Sequence, residues 1–187
     1  YDVAIRKVDA TSNSRLEKAE LKVTDSTGKV CATVISAADK DVIVSLVAGT
    51  YTLTETTAPA GYKVATAISF TVALDGKVTY IGQDLLLNAT TVVMKDVAYT
   101  CDVTFSKVDA ANSKELPKAE IKVTKDTATG TVVDSWTSGT TAHVIKGLAD
   151  GTYVMTETAA PAGYKTAESI TFTIKNGVVV GSTDNKV

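Results

Sequence analysis

Histidine occurs once in this chain of 187 residues and cysteine only twice, a scarcity that removes whole classes of chemistry. His143 sits in a Thr-Ala-His-Val-Ile alternation that reads as an ordinary strand, and neither Cys31 nor Cys101 stands at metal-ligand spacing. No metal and no cofactor is expected. The two cysteines are compatible with an extracellular disulfide, but two are too few to scaffold a fold. A Ser-His-Asp set and a phosphate loop are both missing, so turnover catalysis is not expected. Positive charge is not in excess either. Nineteen Lys and Arg face 21 Asp and Glu, which gives no basic field for nucleic acid. No apolar run approaches the roughly 18 to 20 residues needed to cross a bilayer, which argues against membrane insertion. Aromatics make up only 6%, without a cluster, and Trp136 stands alone in the sequence. No signal peptide, lipidation motif or sorting tail is visible, and the chain opens directly on a strand, which reads as a fragment of a longer protein.

What the chain has is Thr, Val and Ala in alternation, a composition that favours strands, and a long internal repeat. Asp2-Val3 through Lys7-Val8-Asp9-Ala10 recurs as Asp102-Val103 through Lys107-Val108-Asp109-Ala110. Lys18-Ala19-Glu20-Leu21-Lys22-Val23-Thr24 recurs as Lys118-Ala119-Glu120-Ile121-Lys122-Val123-Thr124. Two all-β domains follow, 1–99 and 100–187, with a short and stiff junction near Tyr99 to Cys101, because no Gly, Ser or Pro run separates them. In the first copy, strands are expected near 2–8, 19–25, 30–36, 41–46, 50–56, 67–73, 77–82 and 90–96. Turns fall at Ser26-Thr27-Gly28, Ala48-Gly49, Pro59-Ala60-Gly61 and Asp75-Gly76, which is the pattern of an antiparallel sandwich. The second copy runs only to Asp184-Asn185-Lys186-Val187, so its closing strand reads as truncated.

Alternation also aims charge inward. Residues two apart on a strand share a face, so Tyr51, Leu53 and Glu55 form one row, and Tyr153, Met155 and Glu157 form its repeat. Val3, Ile5 and Lys7 share a face, as do Val103, Phe105 and Lys107. Val92, Met94 and Asp96 do the same on the last strand of the first copy. Each copy thus brings a lysine and a glutamate into one apolar interior, where an unpaired charge costs several kcal/mol. Burial favours neutral forms of both amines and carboxyls. A neutral Lys7 amine is a nucleophile and a protonated Asp96 an electrophile, with Glu55 placed to relay protons, so an amide between the two side chains is within reach. Asn88 is a weaker alternative acceptor, in a run that reads as a loop. The plain alternative is a buried salt-bridge cluster of Lys7, Glu55 and Asp96 with no covalent bond.

The Lys-Val-Asp opening, the Tyr-x-Leu-x-Glu-x-x-Ala-Pro-x-Gly-Tyr segment and the Val-Val-Met-Lys-Asp closing strand resemble the B-type repeat domain of Gram-positive collagen adhesins and related SpaA-like pilin domains. The resemblance covers both copies almost end to end. It implies two tandem prealbumin-like, or inverse immunoglobulin-like, β-sandwiches with self-generated isopeptide bonds. Lys7 and Asp96 match the bonded pair and Glu55 its catalytic helper. Lys107 and Glu157 match in the second copy, where the acceptor lies beyond Val187 or is Asn185. The function implied is a monomeric structural stalk of an adhesin or ancillary pilus protein, extracellular and cell wall-attached through other parts of the parent protein. Its partners would be the neighbouring domains. The rival readings are a module that binds a host extracellular-matrix protein directly and an accessory domain of a secreted enzyme. A polymerising pilus subunit would carry a pilin-type lysine motif, which is not found.

Overall fold

The computed structural model describes residues 1–80 and 90–183, and the chain divides into two compact units, Tyr1–Ala98 and Tyr99–Val187. Asn88, Asn185 and Val187 lie outside the described residues. Among the described residues the first unit holds eight strands: β1 (Asp2–Asp9), β2 (Glu20–Asp25), β3 (Val30–Ile35), β4 (Val42–Ser45), β5 (Gly49–Thr57), β6 (Ile68–Val72), β7 (Val78–Tyr80) and β8 (Thr91–Asp96). They form a five-stranded sheet ordered β3-β2-β5-β6-β7 and a three-stranded sheet ordered β4-β1-β8. The chain alternates between apolar and polar residues, and burial follows that alternation. On β6, for instance, Ile68, Phe70 and Val72 are buried and the residues between them exposed. Val3, Ile5, Leu21, Leu53, Phe70 and Met94 meet in one core cluster between the sheets.

One pairing departs from the antiparallel pattern. β1 and β8 run parallel, with Lys7 opposite Met94 and Asp9 opposite Asp96. Alternation cannot reveal this, because it fixes which face a residue takes and says nothing of strand direction. The outer face of β1 is covered at its end. Val8, which phase would turn outward, is buried at 3% exposure, and it bridges to Arg15 as the following segment folds back.

The second unit repeats the design with β9 (Thr100–Phe105), β10 (Glu120–Lys125), β11 (Val132–Thr137), β12 (His143–Ala149), β13 (Gly151–Ala159), β14 (Ile170–Lys175) and β15 (Val178–Ser182). Its larger sheet is ordered β11-β10-β13-β14-β15, and β9 pairs with β12. Trp136 is not isolated, as the sequence suggested. Its ring lies 5.6 Å from that of Phe105 and stacks on His143 at 4.2 Å, and Phe105 continues the contact to Phe172 and so to Tyr153. These residues are remote in sequence. Strand pairing gathers them, placing His143 opposite Phe105.

Candidate functional site

Lys7 is one of the largest side chains that the first unit buries completely. It stands on β1 in the row begun by Val3 and Ile5, and its Nζ forms an ion pair with Asp96 Oδ1 on the neighbouring β8. Glu55, near the end of β5 in the opposite sheet, brings Oε1 to 3.2 Å from the same nitrogen. All three side chains have no exposed surface. The structure thus brings together the three residues that alternation aimed inward.

The backbone around Glu55 is not a regular strand. Leu21 pairs with Glu55 but Glu20 pairs with Thr57, so Thr56 is an extra residue in a bulge, and its Oγ1 donates to the Glu20 carbonyl at 3.2 Å. Bulges bend a strand and re-aim the side chains beside them. The second unit has the same bulge, with Ile121 opposite Glu157, Glu120 opposite Ala159, and Thr158 Oγ1 on the Glu120 carbonyl. Sequence reasoning missed it, although the Thr after each Glu is its visible trace. It also missed Ala65, whose backbone N–H donates to Glu55 Oε2 at 2.6 Å and leaves Oε1 facing the lysine.

Burial pushes the Asp96 carboxyl up to about 6. Lys7 draws it down by hydrogen bond and charge, and Glu55 raises it again by charge and by hydrogen bond. Glu55 Oε1 and Asp96 Oδ2 are both buried without a conventional hydrogen-bond partner. The arrangement therefore supplies an amine, a carboxyl whose burial favours its protonated form, and a second carboxyl 3.2 Å from the amine.

In the second unit Lys107 lies two residues beyond the end of β9. Its Nζ is 3.4 Å from Glu157 Oε1, and Glu157 Oε2 accepts the Ala167 N–H at 2.6 Å. The lysine side chain is 15% exposed. Among the described residues, Glu157 is its one ion-pair partner, and β9 pairs with β12 alone. Both cysteines are free thiols.

Compared with known families, residues 1–84 and 101–186 match the SpaA prealbumin-like fold domain. The chain belongs to that family. It is a tandem pair of SpaA-type, pilin-like β-sandwich domains, and the two matched segments correspond to the two copies of the repeat. Among solved structures, it is similar to the Bacillus anthracis TIE protein, at 25% identity and a TM-score of 0.73, over 94% of this chain and 32% of that one. It is also similar to the pilus adhesin SpaC from Lactobacillus rhamnosus GG, at 20% identity and a TM-score of 0.64, over 95% of this chain and 26% of that one. A C-terminal fragment of SpaC matches at 23% identity and a TM-score of 0.64, covering 98% of this chain and 86% of the fragment. The likeness to SpaC is one of fold. The SpaA-type pair thus spans about a third or less of the full TIE and SpaC chains. No curated protein matches it significantly.

Proposed function

We propose that the two domains are structural stalk modules of a Gram-positive surface adhesin or ancillary pilus protein, and that the first is locked by an amide between the side chains of Lys7 and Asp96. On this reading they lie outside the cell, attached to the wall through other parts of the parent protein, with neighbouring domains as their partners. The observation that carries it is the Lys7 amine, fully buried between Glu55 and Asp96. A salt-bridge cluster alone gives little return for such burial, because apolar residues of similar volume commonly serve stability as well or better.

The reaction balances within the site. Lys7 Nζ, as the neutral amine, uses its lone pair to attack Asp96 Cγ while protonated Glu55 donates to the Asp96 carbonyl oxygen. The attack forms the C–N bond, and collapse of the tetrahedral intermediate breaks the bond to one oxygen while the other re-forms the carbonyl and returns its proton to Glu55. The Asp96 hydroxyl leaves as water, taking up a proton relayed by Glu55, which receives the one shed by nitrogen. One water is lost and Glu55 is regenerated, so it acts once on its own chain and no turnover follows. In the second domain the same chemistry would need an acceptor beyond Val187, or otherwise Asn185.

Intact mass tests the reading directly. The chain is expected to weigh about 18 Da less than its sequence, and Glu55→Ala is expected to restore the full mass. Full mass in the unsubstituted chain would leave an ordinary buried ion cluster.

A further inference from the structure

We propose that the loop 58–65 is a clasp that holds the three reacting side chains in register, with Tyr62 as its positioning residue. The proposal rests on the bond-forming reading above. Amine, acceptor and helper come from three strands in two sheets, and amide formation is sensitive to their alignment. A displacement of about 1 Å can cost on the order of 100-fold in rate. A single loop touches β1, β5 and the chain leaving β8.

Its first contact is with β1. The Tyr62 hydroxyl donates to Asp9 Oδ2 at 2.9 Å, and Asp9, the last residue of β1, is the register partner of Asp96. Asp9 cannot swing away, because its other oxygen accepts the backbone N–H groups of Thr11 and Ser12 at 2.8 and 2.6 Å. The second contact is with the chain leaving β8, where Tyr62 bridges to Ala98 and the Lys63 N–H donates to the Val97 carbonyl at 3.0 Å. The third is the Ala65 N–H on Glu55. Tyr62 therefore lies as a bar across the ends of the two strands that carry the bonded pair, three residues from the amide that aims the helper. Its phenol is pushed above the usual range by burial, then by Asp9 and by the charge of Asp96.

The loop is built to hold that position. Pro59 fixes its own φ, Gly61 takes φ +84°, and the Tyr62 N–H closes the turn on the Pro59 carbonyl at 3.1 Å. The two side-chain anchors recur in the second domain. Tyr164 donates to Asp109 Oδ2 at 2.7 Å, and Ala167 holds Glu157.

The test follows newly synthesised full-length chain by time-resolved intact mass. Tyr62→Phe keeps the ring and removes the hydroxyl, and it is expected to slow the loss of water about ten-fold without moving the midpoint of its pH profile. Asp9→Ala removes the acceptor and is expected to slow it similarly, which also supplies the test should Tyr62→Phe fold incompletely. The double variant is expected to be no slower than Asp9→Ala, because both act through one contact. Tyr164→Phe, the same change in the other domain, is expected to leave the rate untouched. Reaction of Tyr62→Phe at the unsubstituted rate, multiplying effects in the double variant, or equal slowing by Tyr164→Phe would overturn the clasp while leaving the bond intact. Absence of any mass loss in the unsubstituted chain would instead overturn the reading beneath it.

Discussion

Asp96 determines how the site should respond to acid. The reacting state, with a neutral amine and two protonated carboxyls, contains the same number of protons as an ammonium with one protonated and one ionised carboxyl. Raising the pH past about 6, where Asp96 titrates, removes the proton those states share. The rate of water loss is therefore expected to be higher below this pH and to fall as pH rises through it, by about ten-fold per unit well above it. Pulse-labelled chain transferred to buffers of different pH, with mass followed in time, checks the sign. A rate that rises from pH 6 to 8 would contradict it. Asp96→Asn changes the leaving group as well as the titration. It is expected to lose ammonia, about 17 Da, in place of water.

At the scale of strands and turns, the hairpin between β6 and β7 depends on Gly76. It takes φ +83°, and a Cβ added there would come within 2.7 Å of the Tyr1 ring. Gly76→Ala is expected to destabilise the first domain by about 1 kcal/mol or more, a fall in Tm of roughly 4 to 8 °C for a domain of this size. Thermal unfolding in the Glu55→Ala background, free of any crosslink, measures it. This turn was visible beforehand, as Asp-Gly between two alternating runs, and the strands of the first domain begin and end within two residues of the expected positions, except that the expected end of β7 at 82 lies outside the described residues. Lys7, Glu55 and Asp96 were legible for the same reason: alternation assigns a face, and a charged residue in an apolar row declares itself. Three features were not legible. Parallel β1–β8 pairing depends on tertiary topology. The bulge at Thr56 inserts a residue without disturbing local composition. The clasp joins Tyr62 to Asp9 across 53 positions, and nothing near either one marks the other as its partner.

At the scale of the whole chain, what matters is where tension would run. Lys7 lies near the start of the first domain and Asp96 two residues before its end at Ala98, so an amide between them spans a separation of 89 positions. By analogy with the loop-entropy account of disulfides, such closure would stabilise the domain by roughly 4 to 5 kcal/mol, and no reductant could open it. Its mechanical effect should be larger. Force entering at the first strand would cross to the last through the covalent bridge, and the strands enclosed between them would carry almost none. Pulled from its ends in a single-molecule instrument, the chain is expected to show no lengthening step from the first domain. Glu55→Ala should release the enclosed residues as a step of about 300 Å, at roughly 3.3 to 3.6 Å per residue. A step of that size in the unsubstituted chain would mean that Lys7 and Asp96 are joined by charge alone, since an ion pair yields under load and an amide does not.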